Sequence, residues 1–159
     1  MINIFNRIDN FIDRTTMYRL VLFVLIIFVL FSFIYSLFGL LNYSFVSLLS
    51  SLILIIITCV LINYFISKLL GAVINQESAF ISALILFFIF IPLSNPLDAV
   101  MIAFGGLISM ASKYVFAWHE RHIFNPAAFA AFLLGFSGWG GAIWWIGSPY
   151  LMPIVLIGG

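Results

Sequence analysis

The chain has 159 residues, of which 65% are hydrophobic and 7% charged, with a formal net charge of +1. Soluble domains carry roughly 25% charged residues, so this composition excludes an ordinary water-soluble fold, and the small, dispersed charge excludes a nucleic-acid-binding surface. Nineteen Phe, four Trp and six Tyr suit a lipid bilayer as solvent; the predicted class is all-α, a polytopic transmembrane helix bundle with short or broken helices.

In residues 1–19, Ile4, Phe5, Ile8, Phe11 and Ile12 fall at helical spacing, while Asn6, Arg7, Asp9, Asn10, Asp13 and Arg14 take the other face. That pattern predicts an amphipathic helix on the cytoplasmic membrane surface, distinct from a transmembrane bundle over 20–159. The apolar region behind it is too long for a cleavable signal peptide, and no small-residue cleavage site follows.

Between Arg19 and Lys68 lie 48 consecutive residues without Asp, Glu, Lys or Arg. A bilayer core of about 30 Å needs about 20 apolar residues in a helix, so this run holds two spans, Leu20–Leu41 and Phe45–Ile66, joined by a turn at Asn42-Tyr43-Ser44. Leu, Ile, Phe and Val each favour insertion by about 0.3 to 0.6 kcal/mol at a helix centre. Cys59, the single cysteine, cannot form an intrachain disulfide and reads as a small buried hydrophobe.

Residues 67–77 form a connector ending in Asn75-Gln76-Glu77. Ser78–Leu93 is apolar but short for a crossing, with Ser78 as its cap, Glu77 near its positive end, and breaks at Pro92 and Ser94-Asn95-Pro96. Ala99–Val115 is the next span, with Asp98 as its N-cap. The polar segment Trp118-His119-Glu120-Arg121-His122 reads as a loop; two His at i, i+3 with no third ligand do not make a metal site.

Asn125-Pro126 is a strong helix-start signal, Asn capping and Pro at the first helical position, for a short helix over Ala127–Phe136. A helix that begins inside a membrane protein aims amides and a positive dipole at whatever precedes it, which makes Asn125 and Pro126, with Arg121 and His122 nearby, a seat for phosphate. Gly135, Gly138, Gly140 and Gly141 mark a bend. Trp144-Trp145 reads as an interfacial belt or the flank of a planar cofactor, and Gly147-Ser148-Pro149 as a turn. The last apolar run, Tyr150–Ile157, is too short to cross, so the chain reads as a fragment of a longer protein.

If every apolar segment crosses from a cytoplasmic N-terminus, Arg7, Arg14, Arg19, Lys68, Lys113 and Arg121 all fall inside, the pattern expected for the inner (plasma) membrane. A re-entrant course for 78–93 would instead divide them between the two sides. No Walker loop, CxxC, GxSxG or GxGxxG is present.

Glu77-Ser78-Ala79, the run closed by Ile91-Pro92, Lys113, and Phe124-Asn125-Pro126-Ala127 resemble, in order and spacing, the RnfD/NqrB family, membrane subunits of the Rnf and Na⁺-translocating NADH:quinone oxidoreductase complexes. The match covers residues 76–136; residues 1–75 agree only as apolar spans. The resemblance implies the first of two inverted repeats, with broken helices, in a subunit that passes electrons while Na⁺ or H⁺ crosses the membrane. It implies FMN as cofactor, and as partners other membrane or reductase subunits, or a downstream reductase domain. In the family FMN is esterified to a Thr downstream of Asn-Pro, often followed by Pro. No Thr follows Thr58 here, which weighs against covalent attachment and leaves Ser148, in Gly147-Ser148-Pro149, as the nearest analogue. Trp118–His122 also replaces the family's Gly-rich approach to Asn-Pro. Two other readings stand beside this one: a small-solute channel or transporter with discontinuous helices, and a ligand-free membrane scaffold.

Overall fold

A computed structural model describes residues 17–72, 75–118, 121–138 and 142–158. Among them are six α-helices: α1 (Met17–Leu37), α2 (Phe45–Leu70), α3 (Gln76–Ile89), α4 (Pro96–Val115), α5 (Pro126–Phe136) and α6 (Met152–Gly158). A 3₁₀ turn at Trp145–Gly147 precedes α6. The fold is the expected all-α bundle. Helices α1, α2 and α4 are long and apolar enough to cross a membrane, with mean hydropathy 3.0, 2.9 and 1.2. The surface helix expected over 1–19 lies outside the described residues except for its last three, which form the first turn of α1. The predicted Trp118–His122 loop has a two-residue antiparallel ladder at its root, pairing Ala117 with His122 and Trp118 with Arg121.

Helix boundaries follow the capping chemistry. Helix α1 ends at Leu37, four residues before the expected Leu41, because Gly39 turns left-handed at φ 68° and the Leu40 amide folds back onto Tyr35 O at 2.9 Å. Helix α2 runs from the Ser44 cap past Lys68 to Gly71, whose φ of 63° closes it. Helix α4 starts at Pro96, earlier than expected, and its N-cap is Asn95 rather than Asp98. The Asp98 carboxylate instead accepts the Ser94 and Asn95 amides, each at 2.9 Å, while Asn95 Oδ1 accepts the Asp98 amide at 3.1 Å. That reciprocal box occupies the carboxylate.

Helix α2 buries Ser51, Ile55, Cys59, Asn63 and Ser67, one ridge of i, i+4 spacing turned toward the bundle. Gly106 of α4 lies against it: an added Cβ there would stand 3.0 to 3.3 Å from Thr58, Ile55 and Cys59. Small residues let membrane helices approach closely, and α3 (Ser78, Ala79, Ser82, Ala83) and α5 (Ala127, Ala130) bury the same kind of face. Ser32, Ser51, Thr58, Ser67 and Ser82 each donate to the carbonyl four residues back, so their hydroxyls need no outside partner.

Contacts at the two ends fix the course of the chain. At one end Arg19 of α1 meets Glu77 of α3 at 3.0 Å, and Lys113 of α4 reaches Asn63 of α2 and the Asn75 carbonyl. At the other, the Leu93 amide donates to Ser51 Oγ at 2.6 Å and Ser47 Oγ donates to Leu93 O. Residues 76–93 therefore run the length of the bundle and do not re-enter. Fourteen helical residues rise about 21 Å, and four extended residues add about 13 Å, enough for a core of about 30 Å. Arg19, Lys68 and Lys113 share one end, here the basic end; Asp98 lies at the opposite one.

Candidate functional site

The break in α3 depends on outside donors. Among its last carbonyls, Leu86 O accepts the Phe90 amide at 2.9 Å, Phe87 O accepts the Trp145 indole N–H at 2.8 Å, and Ile89 O accepts the amides of Ile143 and Trp144 at 2.9 and 3.3 Å. Lipid offers no hydrogen bonds, so a helix can end there only against protein. The Trp pair is thus divided. Trp145 is buried against Phe87, Phe88 and Tyr43 with ring centroids 5.2, 5.6 and 5.9 Å away. Trp144 is exposed and left-handed at φ 49°.

At the basic end a groove of about 300 Å³ runs between α1 and α3 with the start of α5 at its mouth, lined by Met17, Tyr18, Val21, Ser78, Ile81, Ser82, Ile85, Asn125 and Pro126. Two helix beginnings meet there. The cap of α3 is Asn75, not Ser78: Asn75 Oδ1 accepts the Ser78 amide at 3.0 Å. The cap of α5 is Asn125, as expected, with Pro126 at the first helical position. Its Oδ1 accepts the amides of Ala127 and Ala128 at 3.0 and 3.4 Å, and its carbonyl accepts that of Phe129 at 3.0 Å. The amides expected to be free for a phosphate are therefore held by the cap itself, and only the dipole faces the groove. Ser78 differs. It is 8% exposed, it lines the groove, and its hydroxyl makes no hydrogen bond among the described residues. Glu77 beside it is paired with Arg19, and both side chains are exposed.

Ser148 sits far from this groove in sequence and in role. Its carbonyl accepts the Leu151 and Met152 amides at 3.0 and 2.9 Å, starting α6, while its hydroxyl is enclosed without a partner among the described residues. An enclosed oxygen leaves no room for a phosphoester, so FMN does not fit as an ester of Ser148. The side chains of Arg121 and His122 lie outside the described residues; their backbones stand on the hairpin between α4 and α5, at the basic end.

Lys113 is held in a polar cluster between helices. Its ammonium donates to Asn63 Oδ1 at 3.1 Å and Asn75 O at 3.4 Å, and Tyr114 OH donates to Asn63 Oδ1 at 2.8 Å. Asn63, fully buried, thus ties α2, α4 and the approach to α3 together. The available signal was Asn63 itself, a lone amide four residues beyond Cys59 in an apolar run. Tyr18, Ile81 and Ile85 had no signal, because their role depends on two helices meeting. Compared with known proteins, the chain matches no family model, no curated protein and no solved structure.

Proposed function

We propose that this chain is a subunit of the inner membrane, its basic end cytoplasmic, that supports flavin-linked electron transfer coupled to Na⁺ or H⁺ translocation in a complex of the RnfD/NqrB kind. The observation that carries the reading is convergence: Ser78 and Asn125-Pro126, from the two stretches that bear the resemblance, line one groove. The orientation rests on Arg19, Lys68 and Lys113 at one end, next to the hairpin that carries Arg121, against Asp98 at the other. FMN would supply the electron chemistry. With Ser148 enclosed and the α5 amides capped, attachment is non-covalent or lies on a partner subunit or a downstream reductase domain.

The test is a visible spectrum of the full-length protein purified in detergent with its partners, before and after acid precipitation. Flavin absorbance that is released on precipitation is the expected result; a preparation without flavin overturns the reading. Flavin that survives precipitation and vanishes in Ser148→Ala would overturn the assignment of Ser148 as a structural turn.

The transporter reading draws on the broken α3, since transporters use helix breaks to expose backbone groups to substrate. Here Phe87 O, Ile89 O and both groups of Leu93 are occupied by protein donors and acceptors. That speaks against a substrate site at the break.

A further inference from the structure

The groove between α1 and α3 is graded in polarity along its length. Ser78, Ser82 and Asn125 stand near the basic end, and Ile81, Ile85 and Val21 continue away from it. Positions 78, 81, 82 and 85 share one face of α3 at i, i+3, i+4 and i+7 spacing, so the groove follows α3 for about 10 Å. Its α1 wall is half-exposed, with Tyr18 49% and Val21 46% accessible, so it opens on the lipid-facing perimeter.

At its polar end the positive ends of α3 and α5 meet. Arg19, beside the mouth, uses only Nε in its bond to Glu77, and its terminal nitrogens have no partner among the described residues. Glu77, the carboxylate at this mouth, is balanced by that same bond. Ser78 adds the observation a helix end alone lacks: a residue more than nine-tenths buried that lines the groove, with a hydroxyl unpartnered among the described residues.

We infer that this groove seats the phosphate head of an anionic phospholipid, with the head at Ser78, Asn125 and Arg19 and the first part of an acyl chain along Val21, Ile81 and Ile85. Pockets with basic residues between membrane helices on the cytoplasmic side hold such heads. The inference needs the basic end to face a leaflet surface and is independent of any flavin.

The experiment is native mass spectrometry of the full chain, delipidated in neutral detergent and titrated with phosphatidylglycerol, phosphatidylcholine or glycerol 3-phosphate. One phosphatidylglycerol should be retained more strongly than phosphatidylcholine by up to about fivefold, the ceiling set by one basic side chain at a charged head, since Arg19 is shared with Glu77. Arg19→Gln should abolish that preference. Val21→Trp, at a lipid-facing position where the helix tolerates bulk, should fill the groove and remove the bound lipid at unchanged helicity by circular dichroism. Ile81→Trp repeats the test from the α3 wall should the first variant not fold.

Equal retention of the two lipids, phosphatidylglycerol bound undiminished to a folded Val21→Trp, or glycerol 3-phosphate binding as tightly as the lipid would each overturn the inference. Flavin absorbance is recorded on the same protein before delipidation. Lipid bound with no flavin overturns the redox proposal alone, and flavin without lipid overturns this one alone.

Discussion

Replacing Gly105 by alanine probes how tightly α4 is pressed against the extended end of the third crossing. A Cβ at Gly105 would stand 2.3 Å from Phe90 Cε2, 2.6 Å from Cζ and 3.1 Å from Leu134 Cδ1. Carbon contacts settle at about 3.5–4.0 Å, so the Phe90 ring must retreat by about 1.2 Å. It has little room: Phe90 is 2% exposed, and the space beside it, lined by Ser51, Ile55, Leu86 and Ile102, holds no water-sized void. Overpacking of this kind costs about 1–3 kcal/mol, against a gain of about 1 kcal/mol from removing glycine from a helix.

Gly135 of α5 supplies the control, since nothing lies within 4 Å of its added Cβ. Gly135→Ala should keep the propensity gain of about 0.5–1 kcal/mol. The propensity term cancels between the two variants, so their stabilities should differ by about 1–3 kcal/mol, the overpacking term alone. The assay is unfolding of the helical circular dichroism signal in detergent. Phe90→Leu added to Gly105→Ala should recover most of the loss, a coupling that neighbours show and distant sites do not. Equal midpoints for the two alanine variants would refute the packing described for α4.

Three further outcomes follow from the polar contacts. Asn63→Leu leaves the Lys113 ammonium on Asn75 O alone and the Tyr114 hydroxyl with only its 3.4 Å bond to the carbonyl of residue 63, and should cost about 1–3 kcal/mol; Lys113→Met in the same chain should restore much of it, read by the same unfolding assay. Trp145→Phe orphans Phe87 O and should cost about 1–3 kcal/mol, whereas Trp144→Phe, at an exposed site, should stay within about 0.5 kcal/mol; similar losses in both would refute the division of the pair. Asn125→Ala removes the α5 cap and should destabilise by about 1 kcal/mol, with faster amide exchange at Ala127 and Ala128 as its local mark.

What could be read from the sequence and what could not divides along a physical line. Apolar length fixes that α1, α2 and α4 are helices able to span, because insertion depends on summed side-chain transfer and not on neighbours. The Asn125-Pro126 start was equally plain, because a cap is local chemistry. Caps assigned to Ser78 and Asp98 were misplaced by three residues, to Asn75 and Asn95, since several capping residues crowd each start and backbone geometry chooses among them. The Asn63–Lys113–Tyr114 cluster and the groove were not readable, because each joins residues from helices whose adjacency no local pattern encodes. The enclosure of Ser148 likewise depends on how the turn before α6 packs.

The third crossing explains why so many of the chain's few polar groups are already in use. A strand-like stretch across lipid would expose peptide groups on both sides. Here Pro92, fully buried, has no amide to satisfy, Leu93 is held at both its amide and its carbonyl by Ser51 and Ser47, and Trp145, Ile143 and Trp144 supply the donors that end α3. Asn63 and Tyr114 are engaged with Lys113, and Asp98 with its own helix start. These interior polar groups hold the broken helix and its neighbours in place, so they are occupied before any ligand arrives. Among the described residues the serine hydroxyls left over are those of Ser109 and Ser148, enclosed in the interior, and that of Ser78 at the rim, on the groove beside Arg19. Substitutions among these interior groups should therefore register first as changes in stability.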